Sequence, residues 1–259
     1  MEKLHHELWI THAVNTVFGP IAAAILRAFG RDVPAQPIPD YLAMLIVITL
    51  ALTALCLLVR SRLSVENPGS LQIVLEDFVA GFRGLLADFV GPKGPRYLPL
   101  VASIFLIIWV SNVSGLVPGL MAPTSNLNVT LGCALTVWLY YHLQGVREQG
   151  LVRYIAHFAH VPPGTPVVMK IFMVPLIFGI EIIGHVARVM SLSLRLFGNV
   201  FGEELVIIIL ASLVPFIVPL PMMFLGLLTG TLQALIFAIL TMVYLGGAVA
   251  VEHHDEAHH

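Results

Sequence analysis

The feature that most restricts how this chain can fold is a set of apolar segments, each long enough to cross a lipid bilayer. Hydrophobic residues make up 58% of the 259 residues and charged residues 11%, whereas a soluble domain carries about 25% charged residues. A helix needs about 20 apolar residues to cross the hydrocarbon core, and its backbone groups must be satisfied within the segment. The sequence therefore predicts an all-α protein that passes through the membrane several times, and it excludes a water-soluble globule.

Five segments are predicted to be embedded in the membrane: residues 40–59, 98–116, 127–143, 171–213 and 222–251. A sixth segment, residues 68–91, has apolar residues at helical spacing interrupted by charged ones, which predicts an amphipathic helix at the membrane surface. Residues 1–39 are predicted to form one or two short helices against the outer surface, and residues 253–259 a polar cytoplasmic tail. We thus expect one membrane domain, residues 40–252, with a short extension at each end.

The distribution of basic residues predicts which side of the membrane each connection faces. Cytoplasmic loops are enriched in Lys and Arg, and eight basic residues fall on one predicted side: Arg60, Arg62, Arg83, Lys93, Arg96, Arg147, Arg153 and Lys170. The two proposed outer loops contain neither Lys nor Arg, although Lys3, Arg27 and Arg31 fall on the outer side and run against the rule. The N-terminus is therefore predicted to lie outside and the C-terminus in the cytoplasm.

The fourth embedded segment is too long for one upright crossing. As a helix, residues 171–213 would be about 65 Å long at about 1.5 Å per residue, roughly twice the hydrocarbon thickness. The segment must be strongly tilted, broken, or divided into two spans, and hydropathy alone allows each of these.

Charged side chains interrupt the apolar interior of this same segment. An arginine at the centre of a membrane helix costs about 2.5–3.5 kcal/mol on insertion scales, and after Glu204 no charged residue occurs before Glu252. On a helix, five polar residues fall along one face: Glu181, His185, Arg188, Arg195 and Asn199. Ionisable groups in such a place indicate a path for an ion or a proton.

Three stretches of the chain resemble subunit a of the F-type ATP synthase. The first is Ser191-Leu-Ser-Leu-Arg-Leu-Phe-Gly-Asn199, followed by Gly202-Glu-Glu204. The second runs from Thr231-Leu-Gln-Ala-Leu-Ile-Phe237 to Thr241-Met-Val-Tyr-Leu245, and the third is Pro123-Thr-Ser-Asn-Leu-Asn-Val-Thr130. Their order and spacing agree with the family, so that the resemblance covers about residues 40 to 252.

This resemblance implies a stator subunit of the Fo sector in a bacterial plasma membrane, without catalytic activity of its own. Its expected partners are the ring of c-subunits, the b-type subunits of the peripheral stalk and the lipid bilayer, with no nucleic acid, cofactor or metal. The translocated ion is expected to be a proton, with Na⁺ left open. The resemblance also implies that residues 171–213 form one long, nearly horizontal helix, which makes a hairpin with the last helix.

The family pattern further implies roles for individual residues. Arg195 is expected to meet the c-ring carboxylates and to separate two offset half-channels. The cytoplasmic path is assigned to Glu181, His185, Ser191 and Arg188. The outer path is assigned to Glu204, Glu203, Asn199, Gln233, Asn112, Asn126 and Asn128. Of the two adjacent acids, the family favours Glu204 as the relay group, whereas the helical angle places Glu203 nearer the face of Arg195.

The chain departs from the family at one position on the last helix. Seven residues before Gln233, where many relatives carry histidine or an acid, this chain has Gly226. Glu203 or water is expected to compensate.

A secondary ion-coupled transporter is the alternative function. Such proteins have buried charges too, but they are built from inverted repeats with paired broken helices, and the sequence shows neither. A membrane metalloprotease would carry an HExxH motif, and this chain has none.

Overall fold

The computed structural model describes residues 9–28, 30, 32–65, 67–117, 119–158, 167–213 and 217–249. In these ranges the chain forms eight α-helices and no strand. The predicted tail 253–259 and residues 1–8 of the predicted N-terminal segment lie outside the described residues. The all-α class is therefore confirmed for the part of the chain that the structure describes.

The helices agree closely with the predicted segments. In chain order they are α1 (Trp9–Ala28), α2 (Asp40–Ser61), α3 (Ser70–Val90), α4 (Leu98–Ser114), α5 (Leu127–Gln149), α6 (Leu151–Phe158), α7 (Val167–Leu213) and α8 (Pro219–Val249). A 3₁₀ turn, Gly94–Tyr97, precedes α4, and a second, Pro123–Ser125, precedes α5. Helix α6 was not predicted separately, and α5 runs six residues beyond its predicted end at Leu143.

Five of the described helical segments are long and apolar enough to cross a membrane: Trp9–Ala28, Asp40–Ser61, Gly94–Ser114, Ile171–Leu213 and Pro219–Val249. This confirms a multi-pass membrane protein, but the set differs from the predicted one. It includes α1, which was predicted to lie on the surface, and it omits α5. Helix α5 nevertheless packs along both α7 and α8 and so belongs to the same group of packed helices.

Helix α7 is one continuous helix of 47 residues. The alternatives of a break or of two separate spans are thereby excluded. Pro175 lies in its first third, where a proline removes one backbone hydrogen bond. The C-terminal part of α7 packs against α8, and Leu196 of α7 belongs to the buried core.

The main core lies where α3, α4, α5, α7 and α8 meet. Its fully buried side chains include Leu86, Val101, Ile108, Val137, Leu196, Phe237 and Met242. Helix α3 contributes to this core from Phe78 onward, with Phe82 and Leu86 buried. Leu71, Ile73 and Val74, in its first half, are exposed, as expected of a helix that lies partly in lipid headgroups.

A smaller core joins α1 to the start of α2. Ile10 and Val14 of α1 are buried against Ala43 and Met44 of α2. The Thr11 hydroxyl donates to Asp40 Oδ1 over 2.6 Å. Helix α2 therefore begins beside the N-terminal half of α1.

The C-terminal end of α5 is held by charges. Glu148 pairs with Arg96 of the first 3₁₀ turn, and with Lys93 at 3.7 Å. The hydrogen bond from Arg96 holds the pKa of the Glu148 carboxyl below its usual range. Lys93 and Arg96 are among the basic residues that predict the cytoplasmic side, so this end of α5 is predicted to face the cytoplasm.

Candidate functional site

Helix α7 carries polar side chains in two regions, the first beside α5, α6 and α8 and the second beside α8. We call the first the histidine cluster: Glu181, His185 and Arg188 of α7, Tyr141 and His142 of α5, and Tyr154 of α6. All of them except His142 line a cavity of about 320 Å³, together with Tyr244 of α8. The cluster lies at the same end of α5 as the Glu148 ion pairs.

Glu181, His185 and Arg188 form a connected set within the cluster. Glu181 Oε1 lies 3.5 Å from His185 Nε2 and 3.2 Å from Arg188 Nη2. His185 Nδ1 lies 3.2 Å from Arg188 Nη1 and 2.9 Å from the Tyr141 hydroxyl. A guanidinium can only donate hydrogen bonds, so Nδ1 is the acceptor. The neutral His185 ring then carries its hydrogen on Nε2, facing the Glu181 carboxylate.

The second polar region surrounds a cavity of about 280 Å³ between α7 and α8, which we call the Glu203 cavity. Asn199 and Glu203 of α7 and Gly226 and Thr229 of α8 line it. The Thr229 hydroxyl donates to Glu203 Oε2 over 3.2 Å. Asn199 Nδ2 donates to Gln233 Oε1 over 2.8 Å, and Gln233 is buried.

Two glycines of α8 make room for polar side chains of other helices. A Cβ added to Gly226 would overlap the Glu203 carboxylate, and one added to Gly230 would stand 3.2 Å from Asn112 Cβ. Asn112 Nδ2 donates to the Gly230 carbonyl over 3.0 Å, and its Oδ1 accepts from Thr124 over 2.7 Å. The space beside Gly226, where relatives were expected to place an acid or histidine, is therefore filled by Glu203.

Glu203 and its neighbour Glu204 face different surroundings. Glu204 interacts with the Ser125 side chain and the Ala122 backbone, at the 3₁₀ turn that precedes α5. It does not line the Glu203 cavity. The two adjacent carboxylates thus lie on separate sides of α7.

Asn126 and Asn128 have local roles in the described structure. The Asn126 side chain accepts a hydrogen bond from the Asn128 backbone N–H and caps the start of α5. Asn128 Nδ2 lies 3.4 Å from the Tyr41 hydroxyl of α2. Neither residue lines the Glu203 cavity, although both lie near the 3₁₀ turn that Glu204 faces.

Arg195 stands between the two polar regions. It is exposed, as is Ser191 one turn before it, whereas Leu192, Ser193 and Leu196 are buried. Within the described part of the chain, Arg195 makes no ion pair. Its guanidinium is therefore presented outward, away from the core of this subunit.

The predicted polar face of α7 is only partly kept together. Its first three residues, Glu181, His185 and Arg188, meet in the histidine cluster as the helical spacing predicted. Arg195 and Asn199 are exposed, and Asn199 pairs with α8. The difference arises because α5 and α6 cover the start of this face, whereas its middle is left uncovered.

Sequence reasoning missed the aromatic and histidine side chains contributed by α5, α6 and α8. His142 and Tyr154, for example, are joined over 2.6 Å. The run Tyr140-Tyr141-His142 inside a predicted membrane segment was an available signal, because such polar residues are uncommon there. Among the described residues, no group of three or more His, Cys, Asp or Glu side chains could hold a metal ion.

The fold and the site together define a class: a multi-pass helical membrane protein with ionisable side chains gathered at two levels along one long helix. Comparison with known proteins identifies the family. A family profile described as ATP synthase A chain matches residues 41–246. ATP synthase subunit a of Aliarcobacter butzleri is 46% identical over 189 residues, which cover 73% of this chain and 79% of that protein.

Other relatives agree. ATP synthase subunit a 1 of Syntrophotalea carbinolica is 44% identical over 212 residues, covering 82% of this chain and 84% of the relative. Subunit a of Campylobacter jejuni is 46% identical over 187 residues, covering 71% and 79%. The chain belongs to the ATP synthase subunit a family.

Proposed function

We propose that this chain is the ion-translocating stator subunit of the Fo sector of a bacterial ATP synthase, and that it carries protons between the rotor and the two sides of the membrane. Its partners in this role are the c-subunit ring, the b-type stalk subunits and the surrounding lipid. The subunit catalyses no reaction alone. It couples ion flow to rotation, and thereby to ATP synthesis in the complete complex.

The single observation that carries the proposal is the position of Arg195. It is exposed on the continuous helix α7, between the histidine cluster and the Glu203 cavity. At about 1.5 Å per residue, it lies about 21 Å along the helix from Glu181 and about 12 Å from Glu203. An outward guanidinium at this point is placed to meet a carboxylate of a neighbouring chain.

The two polar regions are suited to two separate half-channels. Tyr141 and His142 lie toward one end of α5, and the turn that Glu204 faces lies at the other end. On the predicted topology these are the cytoplasmic and the outer ends. On that topology each region lies toward one side of the membrane, and Arg195 lies between them on α7.

The proposed mechanism follows from the chemistry of the guanidinium. It remains protonated, so it does not relay protons, and it repels a hydronium ion that approaches along α7. A c-ring carboxylate that faces Arg195 is favoured in its ionised form, whereas in lipid it must be protonated. Glu203 and Glu204, with the hydrogen-bonded amides of Asn199 and Gln233 beside them, exchange its proton with the outer side. Glu181 and His185, with Ser191 and Arg188 beside them, exchange it with the cytoplasm.

Substitution of Arg195 tests this function. Arg195→Ala removes the charge, and Arg195→Lys keeps a charge but loses the planar donor fork. We expect both variants to assemble and to abolish ATP synthesis and ATP-driven pumping, with passive proton leakage added in Arg195→Ala. The measurements are coupled synthesis in the whole complex and proton conduction in vesicles that hold only the membrane sector.

Arg62→Ala, which changes an exposed arginine at the end of α2, is the control and should behave as the unmodified protein. Normal synthesis in Arg195→Ala would contradict the separator role. Failure of both Arg195 variants to assemble would indicate that the arginine is structural.

A further inference from the structure

The histidine cluster continues beyond the residues that the proposed function employs. The His142 ring lies 4.5 Å from the His185 ring, centroid to centroid, and His142 Nδ1 lies 2.6 Å from the Tyr154 hydroxyl. We propose that His142 and Tyr154 carry protons between His185 and the cytoplasmic surface at α6, so that the inner path ends at this pair. The proposal rests on the proposed function, because it extends that path by two residues.

The packing of Tyr154 indicates that its position is built into the fold. Its side chain is only 5% exposed, although α6 is a short helix that follows α5 directly. Gly150, with φ of 79°, lets the chain turn between the two helices. A Cβ at Gly145 would overlap the Tyr154 ring, so the absence of a side chain at Gly145 creates the space in which the ring lies.

Tyr154 also stands at a point that a cytoplasmic path has to pass. It lines the cavity together with Glu181, His185 and Arg188, and α6 is the part of the chain that follows the basic end of α5. A proton that leaves His185 toward α6 therefore meets the His142–Tyr154 pair. The rings of His185 and His142 are in contact, with 4.5 Å between their centroids, so a proton that passes between them has only a short distance to cross.

The chemistry of the His142–Tyr154 pair allows a proton to pass without a net change in the protonation of either side chain. A neutral imidazole donates through one nitrogen and accepts through the other. When a proton is added to Nε2 of His142, the proton on Nδ1 moves to the Tyr154 oxygen, and the hydroxyl proton of Tyr154 moves to a water molecule. One proton enters and one leaves, and exchange of the ring tautomer restores the starting state.

Tyr154 acts in this scheme as a hydroxyl and not as a phenolate. Burial raises the pKa of Tyr154 to about 12, so the phenol keeps its proton at physiological pH. Among the described residues, the charged and titratable groups near the pair are Glu181, His185 and Arg188 of α7, Tyr141 of α5 and Tyr244 of α8.

The first test removes the proton-carrying atoms with little change of shape. His142→Gln keeps a polar side chain that cannot be protonated at neutral pH, and Tyr154→Phe removes one oxygen. We expect both complexes to assemble and passive proton conduction through the membrane sector to fall by about tenfold or more. Tyr140→Phe is the matched control, since it removes a hydroxyl from the neighbouring residue on α5 and should conduct normally.

The second test distinguishes proton transfer from packing. In His142→Ala, the lost ring leaves room next to the existing cavity, and added imidazole should restore part of the conduction. Unmodified vesicles treated with the same imidazole concentration correct for any effect of this permeant base on the pH gradient. A packing role predicts recovery in His142→Gln and no response to imidazole.

The outcomes separate this inference from the proposed function. Normal conduction in both His142→Gln and Tyr154→Phe overturns the inference, and if Arg195→Ala is still inactive, the proposed function stands. If Arg195→Ala also synthesises ATP normally, both fail together. If His142→Gln does not assemble, Tyr154→Phe decides alone, because its loss of a single hydroxyl leaves the ring over Gly145 in place.

Discussion

At the scale of single residues, the pairing of Glu203 with Gly226 replaces a side chain that the family resemblance placed on α8. The carboxylate comes from α7 and occupies the space that any Cβ at position 226 would need. The two positions are therefore coupled: the side chain at one limits what the other can hold.

Gly226→Ala is expected to push the Glu203 carboxylate away from Thr229 and to slow proton-driven ATP synthesis. The double change Glu203→Gly with Gly226→Glu should restore much of the rate, because it returns a carboxylate to the same space from the opposite helix. Synthesis rates in membrane vesicles measure both effects. Gly132→Ala is the control, since a Cβ there meets nothing within 4 Å. Equal rates for Gly226→Ala and the control would show that the position of the carboxylate is unimportant.

The two adjacent acids are expected to substitute for one another in part. Glu204 faces the 3₁₀ turn and Glu203 faces the cavity with Asn199, so each offers a separate carboxylate on the outer path. We predict that Glu204→Gln slows proton-driven synthesis and that adding Glu203→Gln reduces it far more than the single change does. The rates of the two single variants and of the double variant test this. Intact pumping in the double variant would exclude the outer-path assignment.

Much of the residue-level site could be predicted from the chain alone, but only where it lies within one helix. The spacing of Glu181, His185 and Arg188 was enough to bring them together, because helical periodicity determines which side chains are neighbours. The His142–Tyr154 contact depends on how α6 turns back on α5, and the Glu203–Gly226 contact depends on the register between α7 and α8. Neither is encoded in a local pattern.

At the scale of helices, the start of α2 restricts where α1 can lie. Asn15 of α1 exchanges two hydrogen bonds with the backbone of Ile38, at 2.9 and 3.0 Å. Residues 32–38, which are not helical, therefore return along α1 from its end at Ala28. If α1 crossed the membrane, this irregular backbone would have to cross it as well, which lipid does not tolerate.

We therefore expect α1 to lie along the outer surface, despite its length and apolar composition. Single cysteines at His12 and Arg27, both exposed, should react with an impermeant maleimide from the same, outer side of the membrane. The two positions are about 22 Å apart along the helix, so a crossing helix would separate them. Labelling from opposite sides would show that α1 is a further span.

Helix bounds were the most predictable feature of the elements. The predicted start and end of α2 and α4 differ from the structure by at most two residues, because each segment is bounded by charge, proline or glycine. The apolar composition of α1 would suit a crossing helix, whereas its contacts with the start of α2 favour the surface position that we expect. The structure confirms that the segment predicted at residues 127–143 is helical, but α5 is not among the described helices that are long and apolar enough to cross a membrane.

At the scale of the whole molecule, the two polar regions lie toward opposite sides of the membrane only if the topology predicted from the basic residues is correct. Ser125 lies in the connection between α4 and α5 that is predicted to face outside, but it is only 8% exposed, which makes it a poor labelling site. Val117 and Val65 are better sites, with exposures of 46% and 101%. Val117 precedes the 3₁₀ turn before α5, and Val65 lies between α2 and α3.

A cysteine at Val117 should react from outside and one at Val65 from the cytoplasm, in a background where Cys56 and Cys133 are replaced by serine. The expectation follows from the excess of Lys and Arg on the side of Val65. Impermeant maleimide applied to intact cells and to inverted vesicles provides the measurement. Reaction of both positions from one side would show that the charge asymmetry was misread.

The continuity of α7 restricts which sequence changes this helix can accept during evolution. The six residues 189–194 between Arg188 and Arg195 can change in side chain while the backbone geometry stays the same. Loss or gain of one residue there would turn Arg195 by about 100° relative to the histidine cluster and shift it by about 1.5 Å. Point substitutions in this interval should therefore be tolerated far more readily than insertions or deletions, because the number of residues sets the phase of the helix.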